Sequence, residues 1–446
     1  MSTPTIFAVA SGTGRAAIAV LRISGPSAAE AVHLLSGPLP PPRYARLSAL
    51  KDPESREILD RGLVLWFPGP ASLTGEDMAE LHLHGGRAVV AAVVAVLSKI
   101  PDVRPAEPGE FSRRAFHNGK FDLTAAEGIA DLVEAETEAQ RRQAMRQLEG
   151  AFGKLVESWR ERLVKALAYA EAAIDFAEDD PAVTKGDWRG EVAAVAEEIR
   201  RHLDDERRGE RLRDGFEVAI LGPPNAGKSS LLNKLAGREA AIVSRQAGTT
   251  RDVIEVHLDL GGLPVVLADT AGLRESTDEV ESEGVRRALA RAEAADLKLA
   301  VIDASSGAKI DSETKRIIDA RTIVVASKRD LLADGGGYLE KILALAARSL
   351  AVSAKSGDGI AELLAVIEEA ARESLGSLGR APITRARHRL LLQECAAALD
   401  RFASAKPSEL AAEDLRLAVR ALGRITGRVD VDDILDVIFR DFCIGK

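Results

Sequence analysis

The sequence predicts a multidomain protein: an α+β N-terminal domain, an α-helical domain, and an α/β domain with a mostly parallel sheet inserted into the helical one. Three observations carry this. At 446 residues the chain is too long for one compact core. From Glu217 onward short apolar strands alternate with helices, the pattern of a parallel sheet covered on both faces. Helical stripes precede and follow that stretch, and insertion explains this because domain termini often lie close together.

Composition narrows the class. Apolar residues make up 46% and charged residues 29%, ordinary for a globular chain. The formal net charge of −9 excludes a surface that is basic as a whole, so RNA contact needs a local patch. Cys395 and Cys443 are the only cysteines, which rules out a disulfide framework and a Cys-based metal cluster and points to a reducing cytoplasm. The longest apolar run, 88–97, lies between Arg87 and Lys99 and is about half as long as a membrane span requires. It reads as a buried helix, and no membrane segment is expected.

Residues 1–118 mix short strands (5–10, 17–23, 62–66) with one or two helices. In Glu80-Leu-His-Leu-His84 the alternation puts Glu80, His82 and His84 on one strand face, with Leu81 and Leu83 on the other. Such a face suits a metal site only with a further ligand, and it equally suits a polar small-molecule pocket or plain solvent exposure. From Thr124 a helical stripe runs through Ile129, Leu132 and Val133. It resumes at Met145, Leu148, Phe152, Leu155, Trp159, Leu163, Ala166, Ala170 and Ile174. Asp179-Asp180-Pro181 breaks it, and a further helix is expected over 188–213.

Strands are then expected at 217–221, 253–260, 263–268, 297–302, 322–326 and 350–352, with helices at 228–236, 285–294, 311–320, 338–347 and 360–371. Gly261-Gly262 joins two of the strands as a hairpin, so one strand runs antiparallel. After the link Ser374-Leu-Gly-Ser-Leu-Gly379, helices are expected over 384–402, 407–426 and 431–438.

The inserted domain carries the clearest chemistry. Gly222-Pro-Pro-Asn-Ala-Gly-Lys-Ser229 follows the apolar run Val218-Ala-Ile-Leu221 and opens a helix through Leu231, Leu232 and Leu235. That is a phosphate-binding loop in its expected context: converging backbone N–H groups, a lysine for the outer phosphates, and a hydroxyl for Mg²⁺. Downstream, Asp269-Thr-Ala-Gly272 offers an acid approaching Mg²⁺ through water and a glycine amide for the terminal phosphate. Gly248-Thr-Thr-Arg-Asp252 can place a threonine hydroxyl on Mg²⁺. Asp330 of Ser327-Lys-Arg-Asp330 can take two guanine N–H donors, with Ser353-Ala-Lys355 backing the base. These elements in this order resemble a GTPase of the translation-factor-related class. That class usually has asparagine where Ser327 stands, so a base contact and a loop-bracing side chain are missing or replaced. Leu273 stands where many relatives carry glutamine, so it cannot orient the attacking water. Asn225 is placed to hold a charge-stabilising cation. The acids of Arg274–Glu281 read equally as a catalytic or a solvated loop.

The ends of the chain add a closer resemblance. It finishes in Phe442-Cys-Ile-Gly-Lys446, preceded by Gly423-Arg-Ile-Thr-Gly-Arg-Val and the acidic helix through Asp432-Asp433. With Leu21-Arg-Ile-Ser-Gly25, Phe67-Pro-Gly-Pro70, Leu73-Thr-Gly-Glu-Asp77, His84-Gly-Gly86, Pro108-Gly-Glu-Phe-Ser112 and Gly119-Lys-Phe-Asp-Leu123, the whole chain resembles the MnmE (TrmE) family of tRNA-modification GTPases.

The resemblance implies a folate-binding, dimer-forming domain over 1–118, a helical domain split between 119–213 and 376–446, and a Ras-like GTPase domain over 214–375. It implies a cytoplasmic homodimer acting with an FAD-containing partner, MnmG (GidA), in a heterotetramer or larger complex. Together they modify C5 of wobble uridine in tRNA with a one-carbon unit from a tetrahydrofolate derivative (5-formyl- or methylene-tetrahydrofolate). Matched residue by residue, Arg22, Glu80, Lys120 and Lys446 contact folate. Asn225, Ser244, Gln246 and Thr249 hold K⁺, and Ser229 and Thr250 hold Mg²⁺. GTP is met by Asn225, Ala226, Gly227, Lys228, Ser229, Ser230, Ser244, Gln246, Ala247, Gly248, Thr249 and Thr250, then by Asp269, Thr270, Ala271 and Gly272. Its base falls to Ser327, Lys328, Asp330, Ser353, Ala354 and Lys355. Glu281 matches the catalytic glutamate and Cys443 the cysteine of the terminal motif. From its residues alone, Cys443 reads equally as a reactive or a buried thiol. A ribosome-assembly switch would share this GTPase domain but has no need of the N-terminal domain and the tail. The most basic local stretch, 380–389 with Arg385, Arg387 and Arg389, is the candidate for RNA contact or simply a solvated helix start.

Overall fold

The computed structural model describes residues 3–12, 14–175, 188–237, 240–242, 255–269, 293–307, 310, 315–316, 318–332, 337–376, 382–404, 408–429, 432–440, 442 and 444–445. The chain divides into two compact units, one of 1–130, 147–184 and 406–446, the other of 131–146 and 185–405.

The first unit is built on six strands: β1 (Thr5–Val9), β2 (Ile18–Ser24), β3 (Arg46–Lys51), β4 (Ile58–Phe67), β5 (Met78–His84) and β6 (Val103–Pro105). Their order in the sheet is β3-β4-β5-β2-β1-β6, antiparallel except for the β1–β6 pair. Alternation decides the faces. Leu21, Ile23, Leu81 and Leu83 point into a core with Val32 and Leu35 of helix Ala28–Ser36 and Val93 and Leu97 of helix Arg87–Leu97. Glu80 and His82 point the other way and are only partly buried, as expected from their spacing. The apolar run at 88–97 is indeed a helix but not a buried one. Only Val93, Val96 and Leu97 are buried, and Ala88, Ala91 and Ala95 are exposed. Alanine counts as apolar in a composition yet exposes so little surface that a helix face of alanines tolerates water.

Helix Ala151–Asp175 packs along helix Ser408–Thr426 in the same unit. Phe152, Val156, Trp159, Leu163, Ala166 and Ala170 are buried on one, and Leu415, Ala418, Leu422 and Ile425 on the other. The expected stripe is there, but it is interrupted at Gly150, whose φ of 79° ends helix Glu138–Leu148 before the long helix begins.

The second unit holds seven strands: β7 (Phe216–Leu221), β8 (Ala241–Ile242), β9 (Glu255–Leu260), β10 (Leu263–Asp269), β11 (Leu297–Asp303), β12 (Thr322–Ser327) and β13 (Ser349–Ala351). Their order is β13-β12-β11-β7-β10-β9-β8. The first five are mutually parallel, β9 is antiparallel to β10, and β8, antiparallel to β9, runs with the first five, so one strand is reversed, as expected. Gly261 and Gly262 both have positive φ, 60° and 84°, as a two-residue hairpin turn demands. Leu231, Leu232 and Leu235 of helix Lys228–Ala236 and Ile360, Leu363 and Ile367 of helix Ile360–Leu375 join the strands in one core. Helices Trp188–Leu203 and Ala386–Ser404 pack together in this unit, with Trp188 against Phe402.

The helix expected over 188–213 is two, because the chain breaks at Glu206 and Arg207, both left-handed with φ of 52° and 60°. The Asp205 carboxylate accepts the Arg207 N–H at 3.0 Å, a local turn that competes with the helix. The break expected at 179–181 lies outside the described residues, as do half of the helix expected at 311–320 and most of 285–294. Among the described residues no helix is long and apolar enough to cross a membrane.

Trp159 is 2% exposed in the long-helix contact. Trp159→Ala should therefore destabilise the first unit by about 3–5 kcal/mol. Chemical denaturation followed by circular dichroism would show this as a lower midpoint, and an unchanged midpoint would contradict the packing.

Candidate functional site

The phosphate loop leaves the buried strand β7 at its carboxyl end. Gly222 has φ of 143°, and a Cβ there would lie 2.2 Å from the Val301 carbonyl oxygen, so only glycine fits. Asn225 is left-handed at φ 60°, a conformation asparagine tolerates, and Gly227 at 94° caps helix Lys228–Ala236. Ala226 and Lys228 are buried, whereas Asn225, Ser229 and Ser230 are exposed. The Lys228 ammonium donates to the carbonyls of Gly222 at 2.7 Å and Pro223 at 2.8 Å. A buried cation thus spans the mouth of the loop, and the first amides of the helix behind it are without helical acceptors. Both features suit polyphosphate.

The base loop sits at the ends of β12 and β13. The Ser327 hydroxyl, 5% exposed, lies 2.5 Å from the Ala226 carbonyl of the phosphate loop. The loop brace that asparagine would supply is therefore replaced, by a shorter side chain. Lys328 is left-handed at φ 57° and donates to Asp303 at 2.7 Å. Burial works against ionising Asp303, but hydrogen bonds from Lys328 and Ser305 hold its carboxyl below the usual carboxylate range. The Ser353 hydroxyl, fully buried, donates to Asp330 Oδ1 at 2.6 Å and so fixes that carboxylate. Ala354 is half-buried and Lys355 exposed. The Lys328–Asp303 pair went unread in the sequence, although an acid closing a strand beside the nucleotide loops was the available signal.

Asp269 closes β10 in register with Ile220 of β7, but its side chain lies outside the described residues, with Ser244, Gln246, Ala247, Gly248, Thr249, Thr250, Thr270, Ala271, Gly272, Leu273 and Glu281. Cys443 and Lys446 lie outside them too.

A second constellation lies on the polar face of the six-stranded sheet. Arg22 and Glu80 are directly opposite on β2 and β5, and the guanidinium donates to Glu80 Oε1 at 2.8 and 3.1 Å. Arg22 also donates to the Gly445 carbonyl at 3.1 Å, which brings the end of the chain to this face. Gly445 packs so tightly that a Cβ would lie 2.6 Å from the Val9 carbonyl oxygen. Two residues along β2 on the same face, Ser24 bonds Thr74 and Glu76, at 2.7 and 2.8 Å. Glu76 in turn pairs with the buried Arg114 at 3.1 Å. Asn118 donates to the Thr74 carbonyl and Lys120 to the Pro70 carbonyl on the same loop. Arg22 and Glu80 are thus in contact, and Lys120 is fixed to the loop that Ser24 ties to their strand. His82 approaches Glu80 at 3.5 Å and His84 bonds Asp60 at 2.7 Å. Among the described residues no group of three metal-ligating side chains converges.

In the basic stretch at 380–389, Arg385 and Arg389 are paired with carboxylates, Arg385 with Asp131 at 2.6 Å and Arg389 with Asp205 at 2.6 Å and Glu210 at 2.9 Å. Cys395 is buried, and burial pushes its thiol up to about 12.

Two family models match the chain: the MnmE helical domain over residues 123–443 and the GTP-binding protein TrmE N-terminus over residues 5–120. A protein of Paramagnetospirillum magneticum named tRNA modification GTPase MnmE is 59% identical, covering 99% of each chain. Its namesake in Rhodospirillum rubrum is 55% identical, covering 100% of each. The mitochondrial 5-taurinomethyluridine-[tRNA] synthase subunit GTPB3 of Danio rerio is 48% identical, covering 99% of this chain and 93% of its own. Among solved structures, the G domain of the T. maritima FeoB iron transporter is 24% identical, covering 36% of this chain and 98% of its own, with a TM-score of 0.26, too low for any inference.

The loop geometry makes a direct demand on Gly222. Gly222→Ala should weaken triphosphate binding roughly 10- to 100-fold, the equivalent of about 1–3 kcal/mol of backbone strain. Fluorescent-nucleotide titration would measure it, and near-normal affinity would refute the close approach.

Proposed function

The chain belongs to the MnmE family of tRNA modification GTPases, and we propose from that premise that it binds and hydrolyses GTP in order to modify tRNA. The observation that carries the nucleotide half is the strained phosphate loop, with buried Lys228 at its mouth and Ser327 behind it. Lys228 meets the outer phosphates, the helix amides hold the phosphate oxygens, and Asp330 takes the guanine N–H donors.

Leu273 supplies no hydrogen bond to an attacking water. Asn225, an exposed neutral oxygen donor in a left-handed turn of the loop, fits a K⁺ site completed by Ser244, Gln246 and Thr249. Ser229 and Thr250 are the hydroxyls for Mg²⁺. Bound there, the cations supply positive charge to the phosphoryl oxygens as negative charge develops. Glu281 orients the attacking water through a bridging water.

On the N-terminal sheet, Arg22, Glu80, Lys120 and Lys446 hold a tetrahydrofolate derivative, 5-formyl- or methylene-substituted. What supports this is the partly buried Arg22–Glu80 pair on a polar face, with the chain end bonded to it. Cys443, three residues from the terminus, belongs to the same reading as a catalytic thiol. Residues 1–118 form the folate and dimerisation domain, 119–213 and 376–446 the helical domain, and 214–375 the GTPase domain. The homodimer works in the cytoplasm with an FAD-containing partner, in a heterotetramer or larger complex, on C5 of the wobble uridine of tRNA.

GTP turnover should rise steeply when K⁺ replaces Na⁺ at equal ionic strength, and Glu281→Ala should abolish most turnover while leaving nucleotide affinity nearly intact. Cation-indifferent hydrolysis, or equal losses of affinity and turnover, would count against these roles. Titration with 5-formyltetrahydrofolate should give saturable quenching of Trp66, the sole tryptophan of residues 1–118. Arg22→Ala should remove it; a linear response in the wild type would leave the sheet face a scaffold.

A further inference from the structure

We propose that Ser327 positions the phosphate loop rather than reading the base, so that side-chain recognition of guanine in this chain falls to Asp330 as held by Ser353. This rests on the reading of the site as a GTP site.

Ser327 closes β12 in register with Asp303 of β11. Its hydroxyl lies 2.5 Å from the Ala226 carbonyl and 3.2 Å from the Ile302 carbonyl. A hydroxyl has one proton to give. Both acceptors are backbone carbonyls, one in the phosphate loop and one in the neighbouring strand, and the shorter contact is to the loop. Guanine N7 and O6 are themselves acceptors. A side chain whose only proton is committed to the loop has none left to offer them.

The packing around this bond points the same way. Ala226 is 1% exposed, so its carbonyl has little access to water and losing its partner is costly. A Cβ on Gly227 would sit 3.6 Å from Ser327 Oγ and 3.9 Å from Lys328 Cε, ordinary contact distances. The base loop therefore lies directly against the phosphate loop, and Lys328 is pinned there by Asp303. Asp330 is organised separately. Its Oδ1 accepts the Ser353 proton at 2.6 Å, and Ser353 Oγ itself accepts the Ser356 N–H at 3.1 Å. The two hydroxyls divide the work: one braces the phosphate cradle, and the other aims the carboxylate at the N1–H and the exocyclic amine.

A cycle combining protein and ligand changes tests this on the full chain. Dissociation constants of GTP, 7-deaza-GTP (in which N7 is a C–H) and ITP (which lacks the exocyclic amine) are measured for wild type, Ser327→Ala, Ser327→Thr and Ser353→Ala. Ser327→Ala should weaken GTP and 7-deaza-GTP by the same factor, about tenfold, leaving their ratio unchanged because the effects are independent. Ser327→Thr keeps the hydroxyl and should restore both to within about threefold. Ser353→Ala should instead narrow the preference for GTP over ITP. If Ser327→Ala does not fold, Ser327→Cys, with a weaker donor of similar shape, carries the same comparison. Unchanged GTP affinity in Ser327→Ala overturns the proposal. So does a loss that appears with GTP but disappears with 7-deaza-GTP, because that is the signature of a base contact. A wild-type chain with no preference for GTP over ATP would overturn the GTP reading itself, a different result from either.

Discussion

The constraint on which the nucleotide site depends is the passage of Gly222 beside the Val301 carbonyl, where no side chain can stand. It matters because of what surrounds it. β7 lies between β11 and β10, and Val218, Ala219 and Ile220 are fully buried. Burying each large apolar side chain of such a strand contributes about 1.5–3 kcal/mol, so the strand cannot shift to relieve a clash at its end. Rigidity passes from the core to the loop. The same parallel register brings the other functional ends to one edge of the sheet: Asp269 closes β10, Asp303 closes β11 and Ser327 closes β12. An open parallel sheet assembles its site at the carboxyl ends of its strands because that is where chemically distinct loops are made neighbours.

Much of this was legible in the sequence, where short-range patterning determines the outcome. Helix Lys228–Ala236 and the Gly261-Gly262 hairpin are where the residues place them, because loop glycines and apolar spacing act locally. What was missed is short or non-local. β3, β6 and β8 are edge or near-edge strands with weak alternation, stabilised by their neighbours' ladders more than by their own residues. The break at Glu206–Arg207 depends on Asp205, whose carboxylate also receives Arg389 from 184 positions away. Ser327 read as a departure from pattern; that its hydroxyl reaches Ala226 follows only from the sheet register.

The N-terminal sheet shows the same division. Alternation alone put Glu80 and His82 on the polar face, and the structure keeps them there. It could not show that Arg22 would bond at once to Glu80 and to the Gly445 carbonyl, 423 residues along the chain. That contact gives the terminal Cys-Ile-Gly-Lys stretch a structural meaning. Arg22 is held by a carboxylate and a carbonyl together, and its guanidinium fork is suited to two such acceptors where a lysine ammonium is not. Gly445 is thus bound to the sheet through its backbone.

The arginines of 380–389 show what composition hides. A phosphate-binding arginine contributes to RNA affinity by releasing counterions, and for that its charge must face solvent. Arg389 is 13% exposed and already bonded to Asp205 and Glu210. Burial opposes its charge, but those two carboxylates more than offset it. Withdrawing the guanidinium toward a phosphate would give up Asp205 and one of the two arginines paired with Glu210, 3% exposed, whose other partner is Arg207. One exposed phosphate contact does not recover that. Asp131 makes the same claim on Arg385 and Arg213. These arginines tie helix Arg208–Asp214 to helix Ala386–Ser404 within one unit, so Arg385 and Arg389 spend their charge on the fold.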